Sequence, residues 1–215
     1  MKAWLKLAGL SWFGRQAFRM AAMAVPPYKG ARQLANVSSR GFVSPSAKLH
    51  TRQFYRGDHS FIGDDVVIFQ AADAGQVSLG RRSSLNAACI VECGEGGTVT
   101  IGDSTHIQPR CQLSAYKGSL VIGAGVQVAP NCAFYPYNHG FDMSVPIMKQ
   151  PLTTKGGIVI EDDVWLSYGV VVLDGVTIGK GAVIGAGSVV SRDIPAGAIA
   201  AGTPARVIRQ RGESE

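Results

Sequence analysis

The sequence predicts a mainly β fold: a triangular parallel β-helix of about six to seven coils, with an N-terminal helical arm and one long inserted loop. Aliphatic residues recur every six positions across much of residues 43–194. A small or β-branched residue follows these positions by four residues. Glycine supplies 27 of the 215 residues, and aromatic residues make up only 8%. This composition favours many tight turns around a narrow interior over a helical bundle.

The repeat is clearest in the C-terminal third of the chain. The six-residue positions there are all aliphatic: Ile160, Leu166, Val172, Ile178, Ile184 and Val190. The positions four residues later are Val164, Val170, Val176, Ala182 and Ser188. Because each small residue lies two positions before the next aliphatic one, both side chains point to the same side of a short strand. Three such strands would close one coil, and the glycines after aliphatic positions, such as Gly80 and Gly102, are expected to adopt unusual backbone angles at the corners.

The same frame continues upstream with small phase shifts, from a degenerate start at Val43, Leu49 and Tyr55. Cys89, Cys111 and Cys132 fall in the small interior slot. Buried free cysteines act as small hydrophobic residues, so we interpret these three as structural. The cysteines lack a metal-ligand spacing and are too few for a disulfide scaffold, which favours a reducing, cytoplasmic setting.

The N-terminal arm differs from the rest of the chain in charge. The net charge is +6, and residues 1–57 contain ten Lys or Arg and no acidic residue. Residues 1–24 place Trp4, Leu7 and Phe18 near helical spacing, but the run is too short and too charged to span a bilayer. Two interpretations stay open: a basic helix lying on a membrane surface, or a helix packed under the main domain or at a subunit contact. The arm lacks nucleic-acid recognition motifs, so no nucleic-acid partner is predicted.

The sequence divides into three parts. Residues 1–41 form the arm and a linker, with Pro26-Pro27 expected to end the arm helix and residues 26–41 expected to be the linker. Residues 42–194 form the β-helix, and residues 195–215 form a C-terminal segment and tail.

The β-helix is interrupted by a loop at 135–158. After Phe134 the next aliphatic position should be residue 140, but it arrives at Ile160. Long excursions from a regular fold usually carry function. His139 lies in this loop, whereas His106 is expected at an outward, solvated position and His50 and His59 lie in the weak first coil.

We interpret His139 as a general base. Imidazole has a pKa near neutrality, so it can take a proton from an attacking hydroxyl or amine and return it to a leaving group. Two neighbours are candidate catalytic residues beside it: Asp142 would orient the imidazole, or Asn138 would cap the loop.

With these residues assigned, the chain resembles the hexapeptide-repeat acyltransferases, most closely the bacterial O-acetyltransferases of sugars, antibiotics and cell-surface polysaccharides. The resemblance rests on Asn138-His139, on Pro146-Ile147 with Gln150, and on VWLSYGVVVLDGVTIGKGAVIGAGSVVSRDIPAGAIAAGTPARVIRQR (164–211). It implies a left-handed β-helix, acetyl-CoA as acyl donor, and a homotrimer with active sites between neighbouring subunits.

The resemblance also implies a set of residues that contact coenzyme A: Trp165, Tyr168, Gly185, Ala186, Ser191, Arg192, Arg206 and Arg209. Gly185 and Ala186 would let a pantetheine arm lie close to the coils, and the three arginines would neutralise phosphates. Two alternatives stay open: Trp165 packs under the loop, and the arginines form a solvated basic face. The acceptor-binding residues of the sugar enzymes do not carry over clearly near Gln112.

The leading hypothesis is O-acetylation of a sugar hydroxyl on a surface polysaccharide or its precursor, in the cytoplasm and at the inner face of the membrane, with residues 1–24 near lipid-linked acceptors. The alternatives are N-acetylation of an amino sugar nucleotide and a non-catalytic hexapeptide-repeat scaffold. A zinc enzyme of the same fold is not predicted, because the four histidines lack the spacing of a three-histidine site.

Overall fold

The structure is a computed structural model that describes residues 2–26, 28–73 and 75–213. Three sheets form the faces of a triangular column, and successive coils visit the three faces in the same order. The second sheet has seven strands, one from each coil. The predicted left-handed parallel β-helix is confirmed.

Sheet 1 consists of Phe42–Val43, Phe61–Ile62, Ser84–Leu85, His106–Ile107, Gln127–Val128, Trp165–Leu166, Val183–Ile184, Ala198–Gly202 and Ala205–Gln210. Sheet 2 consists of Lys48–His50, Val67–Gln70, Ile90–Gly94, Gln112–Tyr116, Ala133–Tyr135, Val171–Leu173 and Val189–Val190. Sheet 3 consists of Phe54–Arg56, Val77–Leu79, Val99–Ile101, Leu120–Ile122, Ile158–Ile160 and Thr177–Ile178.

Each coil therefore has three corners. Corner 1 joins sheet 1 to sheet 2, as at residues 167–170; corner 2 joins sheet 2 to sheet 3, as at 174–176; corner 3 joins sheet 3 to the next coil, as at 179–182. Backbone hydrogen bonds also link corners of neighbouring coils, as from Gly80 N–H to the Ile101 carbonyl at 2.8 Å. The column is thus held along its axis at the corners as well as on its faces.

The interior is the one that the six-residue repeat predicts. The aliphatic positions from Ile160 to Val190 and the small positions between them are all buried. Small hydroxyl residues in the interior are satisfied by nearby backbone, because Ser83 Oγ donates to the Gly102 carbonyl and Thr105 Oγ1 to the Gly123 carbonyl, both at 2.6 Å. Small polar residues therefore fit the interior slot without unpaired groups.

Four cysteines are buried, including the three of the small slot. Burial raises the pKa of the Cys93 thiol to about 12. Cys89 and Cys111 donate through Sγ to the carbonyls of Gln108 and Ala129. These contacts support the structural interpretation of the cysteine column.

Two expectations about the repeat are corrected by the structure. Tyr55 is not an interior residue: it points outward and is 59% exposed, because Phe54 and Arg56 pair with Val77 and Leu79. The glycines after aliphatic positions do not supply left-handed angles, which instead occur two residues later, as at Arg82 (φ 56°) and Ser104 (φ 55°).

Those glycines are required by close packing between coils. A Cβ built on Gly80 would lie 2.5 Å from the carbonyl carbon of Gly102, and one on Gly102 would lie 2.6 Å from that of Gly123. No real Cβ tolerates such contacts, so corner 3 stacks backbone on backbone.

Three helices lie against the N-terminal part of the column: α1 (Lys2–Leu7), α2 (Trp12–Ala22) and α3 (Arg32–Val37). The Ser11 side chain caps α2 by accepting from Gly14 N–H at 3.2 Å. Phe18 of α2 is fully buried and meets Phe42 edge-on at 5.2 Å. One face of the arm therefore packs on the first coil, as the second interpretation of the arm expects.

The expected linker at 26–41 is wrong, because a 3-10 turn (Tyr28–Ala31) leads into α3, whose Leu34 is fully buried. Pro27, one of the two residues expected to end the arm helix, lies outside the described residues, as do Met1 and the last two residues of the tail. Within the part that the structure describes, no helix is long and apolar enough to cross a membrane.

His106 points outward as expected, but it is half-buried rather than solvated, because Arg32 of α3 lies against it. Arg32 Nη2 lies 2.9 Å from its Nδ1, and Ser84 Oγ lies 3.0 Å from the same atom. Burial, together with the charge of Arg32, lowers the pKa of His106.

Candidate active site

Corner 2 carries the extra residues that break the six-residue repeat. The segments GEGG (94–97) and YKG (116–118) lie there, and the inserted loop leaves the same corner in the fifth coil. The loop is a hairpin rather than an irregular excursion, with Asn138–His139 paired antiparallel to Leu152–Thr153 and a 3-10 turn at Ile147–Lys149. We call residues 136–157 the hairpin.

The tip of the hairpin is held by the side chain of Gln150. Its Oε1 accepts from Asp142 N–H at 2.8 Å, and its Nε2 donates to the carbonyls of Asp142 and Val145 at 2.8 and 2.6 Å. The Asp142 carboxylate accepts from Ser144 N–H at 2.7 Å and from the Ser144 hydroxyl, which lowers its pKa. Asp142 therefore shapes the tip, and its carboxylate bonds to Ser144 rather than to His139.

The base of the hairpin is tied to the column by Asp174, which the sequence reasoning missed. This carboxylate is only 6% exposed. It accepts from Asn138 Nδ2 at 3.0 Å, from Thr154 Oγ1 at 3.0 Å, and from two backbone N–H groups, Lys155 at 2.6 Å and Gly157 at 3.2 Å. Asn138 thus joins the hairpin to the next coil, in keeping with its expected role as a loop cap.

His139 is exposed and faces an aromatic cluster. Its ring lies 6.5 Å from that of Tyr137, which in turn lies 5.6 Å from Tyr116 and 6.3 Å from Tyr135. Burial and the nearby Glu92 and Tyr137 raise the pKa of Tyr116. The sequence reasoning also missed these tyrosines, which occupy outward or corner positions that carry no periodic signal.

The His139 imidazole makes no hydrogen bond to any other residue that the structure describes. Its nitrogens are thus open to groups that this chain does not supply. Within the described residues there is also no group of three or more His, Cys, Asp or Glu side chains that would hold a metal ion.

The residues implied to contact coenzyme A lie in three places. Trp165 is on the outer face of sheet 1 and Tyr168 on corner 1, where they are 51% and 57% exposed. Gly185 and Ala186 lie on corner 1 one coil later, directly above Tyr168, and Tyr168 O accepts from Gly187 N–H at 2.8 Å. Ser191 and Arg192 are exposed on corner 2, the corner from which the hairpin leaves.

Arg206 and Arg209 lie on the last strand of sheet 1. That strand, Ala205–Gln210, runs antiparallel to Ala198–Gly202. Arg206 Nη1 donates to the Ala205 carbonyl at 2.9 Å, and Arg209 Nη1 donates to that of Glu213 at 2.8 Å. Within one chain, the structure thus brings His139 together with Asn138, but it leaves Tyr168 and Ala186 on another corner of the triangle.

Comparison with known proteins supports the repeat and the fold. Residues 157–192 match the family described as Bacterial transferase hexapeptide (six repeats). A Saccharomyces cerevisiae protein, YJL218W, whose name gives it a provisional acetyltransferase assignment, is 40% identical over 124 residues, which is 57% of this chain and 61% of the yeast protein. The chain thus spans about three fifths of that relative and about a quarter of other curated relatives.

Two solved structures have the same fold at low sequence identity. The polySia-specific acetyltransferase NeuO superposes with a TM-score of 0.62 at 22% identity, over 80% of this chain and 84% of NeuO. The S84A mutant of AntD, an N-acyltransferase of Bacillus cereus solved with dTDP-4-amino-4,6-dideoxyglucose and coenzyme A, gives 0.56 at 21% identity, over 80% and 82% of the chains. The expected resemblance to hexapeptide-repeat acyltransferases is confirmed.

Proposed function

We propose that this chain, which carries the bacterial transferase hexapeptide repeat on a left-handed β-helix, is an acetyl-CoA-dependent O-acetyltransferase that modifies a sugar hydroxyl of a surface polysaccharide or its precursor. The observation that carries the proposal is the exposed imidazole of His139 on a hairpin that buried Asp174 fastens to the column through Asn138. A base on an exposed but anchored strand meets the need for both access and fixed geometry.

The chemistry proposed for His139 is general base and then general acid catalysis. The imidazole takes the proton of the acceptor hydroxyl as its oxygen attacks the thioester carbonyl carbon. The tetrahedral intermediate then expels the coenzyme A sulfur, the carbon–sulfur bond breaks, and the imidazolium returns the proton to the thiolate. Backbone N–H groups would stabilise the oxyanion.

The placement of the residues supports a site shared between subunits. His139 leaves from corner 2, whereas Tyr168 and Ala186 lie on corner 1. Since two corners of one triangular column face away from each other, a cleft lined by both sets needs corner 1 of a neighbouring chain. The proposed assembly is the homotrimer implied by the family resemblance.

The tip of the hairpin supports the same assembly. Phe141 is 80% exposed and Met143 fully exposed. Exposed large apolar side chains on a tip that Gln150 holds by hydrogen bonds are typical of a protein interface. In the proposed trimer this tip would rest on the neighbouring column and carry His139 to that column's donor surface.

The donor proposed for this surface is acetyl-CoA, which fits the residues present. Gly185 and Ala186 offer a corner without bulky side chains, and Trp165 and Tyr168 offer exposed aromatic walls. Arg206 is an exposed cation for the phosphates on the same column, and Arg192, on corner 2, would come from the subunit that supplies His139. The neighbour AntD was solved with coenzyme A bound, which supports the choice of this donor.

The first test is calorimetric titration of acetyl-CoA into the purified chain and into the His139→Ala variant. We expect both to bind with similar affinity, because His139 acts on the acceptor proton. Absence of binding by the wild-type chain would overturn the acetyltransferase proposal in favour of the scaffold alternative.

The second test separates O- from N-acetylation by following thiol release from acetyl-CoA with matched acceptors. A methyl hexoside offers only hydroxyls, and the matching methyl aminodeoxyhexoside adds one amine. Thiol release with the hexoside supports the proposal, and release with the amino sugar alone favours the N-acetyl alternative that the AntD neighbour exemplifies.

A further inference from the structure

We propose that the outward face of the N-terminal helices is a docking surface for an anionic lipid bilayer. Six residues define this arm surface: the apolar Leu7, Trp12, Phe13 and Met23, and the basic Lys6 and Arg19. The proposal concerns where the protein sits and does not depend on the reaction proposed above.

Helix α2 is apolar on its inner face and presents apolar side chains beside basic ones on its outer face. Phe18 and Ala21 on its inner face are fully buried against the first coil. On its outer face Trp12 is 67%, Phe13 78% and Met23 77% exposed. A helix on the surface of a globular domain normally turns polar residues outward, so this outer face is built to be covered.

The helices are clamped, so the arm surface is presented in a fixed position. Arg15 Nη2 donates to the Pro45 carbonyl at 2.6 Å and to that of Ala47, and Arg40 Nη1 donates to the Ala8 carbonyl at 2.9 Å. These bonds join α2 and the turn after α1 to the first coil. Because the inner face already rests on the column, the outer face is left for a partner outside this chain.

Charge identifies the partner as an anionic surface. The bases of the arm surface, Lys6 and Arg19, are exposed, and the first 57 residues contain no acidic residue to offset them. A second copy of the same surface would bring like charges together, whereas anionic lipids attract each nearby Lys or Arg by about 1 kcal/mol. Trp12 and Phe13, whose rings meet edge-on at 4.9 Å, suit the boundary between headgroups and acyl chains.

Docking through the arm would also position the hairpin. Helix α2 packs on the first coil, and the hairpin leaves the fifth. At a coil spacing of ~4.8 Å, the hairpin leaves the column roughly 20 Å further along its axis. Docking through α2 would therefore hold the hairpin at a set distance from the docked helix.

The experiment is flotation of the purified full-length chain with vesicles of phosphatidylcholine alone and of phosphatidylcholine with phosphatidylglycerol. We expect binding to the anionic vesicles that weakens as salt is added. The variant Trp12→Ser/Phe13→Ser is expected to weaken binding about tenfold or more, and Lys6→Gln/Arg19→Gln about tenfold. All four side chains are exposed, so the melting temperature should be unchanged.

The matched control is Val207→Ser/Ile208→Ser, which removes an exposed apolar pair from the last strand of sheet 1, at the far end of the column. It should bind vesicles like the wild type. Equal binding to neutral vesicles, equal loss in the control pair, or no vesicle binding would overturn the proposal. If the Trp12/Phe13 pair instead changes the oligomeric state in sedimentation, a second copy covers the arm surface and the lipid proposal is wrong.

Discussion

Corners 2 and 3 are built from the same six-residue repeat but obey opposite rules. At corner 3 the backbones of successive coils touch, so an added methyl group at Gly102 would collide with Gly123. At corner 2 the chain adds residues coil after coil and finally a whole hairpin. The column is not disturbed, because Leu120 and Ile122 pair with Ile158 and Ile160 as if nothing intervened. A solenoid can therefore keep one corner tightly stacked for stability and use another for a functional insertion.

The largest expected effect breaks the functional corner at its reactive group. His139→Ala should lower the rate of acetyl transfer by about 10²–10⁴-fold, because the acceptor proton loses its base. The measurement is thiol release from acetyl-CoA. His50→Ala is the matched control, since His50 is also an exposed histidine on a strand edge, and a similar loss there would remove the case for His139.

The next effect concerns the anchor of the hairpin. The Asp174 carboxylate accepts four hydrogen bonds. In Asp174→Asn one of its oxygens becomes an NH₂ group, which donates and cannot accept, so some of these donors lose their acceptor. We expect the free energy of unfolding to fall by about 1–3 kcal/mol and amide exchange to rise across 136–157.

A matched control for Asp174 lies one coil further on the same corner. Asp193 is exposed and accepts from Thr177 N–H at 2.7 Å. Asp193→Asn should leave exchange in the hairpin unchanged. If exchange in the hairpin rises to the same extent in both variants, Asp174 is not its specific anchor.

The structural corner is tested by Gly102→Ala. Its new Cβ must push the neighbouring coil away, which should lower the free energy of unfolding by about 1–3 kcal/mol. Urea unfolding measures it, with Gly9→Ala as control because an added Cβ at Gly9 meets nothing within 4 Å. A change at Gly102 as small as the control's, within about 0.5 kcal/mol, would show that the corners yield more easily than we infer.

The smallest expected effect is a change in the pH dependence of stability. It concerns sheet 1 rather than a corner, at the point where α3 contacts His106. Because the native pKa of His106 is lowered, the unfolded chain binds a proton below about pH 6.5 that the native state refuses. Stability should therefore fall as the pH falls through this window. His106→Gln should reduce the difference between unfolding at about pH 7.5 and at about pH 5.5, and an equal difference in the variant and the wild type would show that His106 is not its source.

The sequence could predict the interior because the interior is periodic. The six-residue period predicted that the aliphatic positions from Ile160 to Val190 are buried. It also predicted burial of Cys111, which occupies the small position of the repeat. Tyr55 failed because Arg56 takes the place of an aliphatic residue in the first sheet 3 strand. The expectation about the corner glycines failed because glycine is selected for two different reasons. Close packing between coils and a left-handed backbone angle both require a glycine, and the sequence does not show which reason applies.

The site was predictable only where it interrupts the repeat. His139 stood out for this reason. Asp174 sits in a turn like any other turn, and its function arises from Asn138, 36 positions earlier. Likewise the contact between Arg32 and His106 spans 74 positions. Such pairings depend on the fold that the period builds, and no local spacing records them.

The reversed final strand has a consequence for growth of the column. The terminal coil of a β-helix has unpaired backbone N–H and C=O groups along its edge. If this edge were uncovered, a coil of a second molecule could pair with it, and repeated pairing would produce filaments. On sheet 1 the strand Ala205–Gln210 occupies that edge and runs the opposite way. At the other end Arg15 of α2 donates to the Pro45 and Ala47 carbonyls of the first coil. The chain thus carries its own terminators of polymerisation, one helical and one a strand.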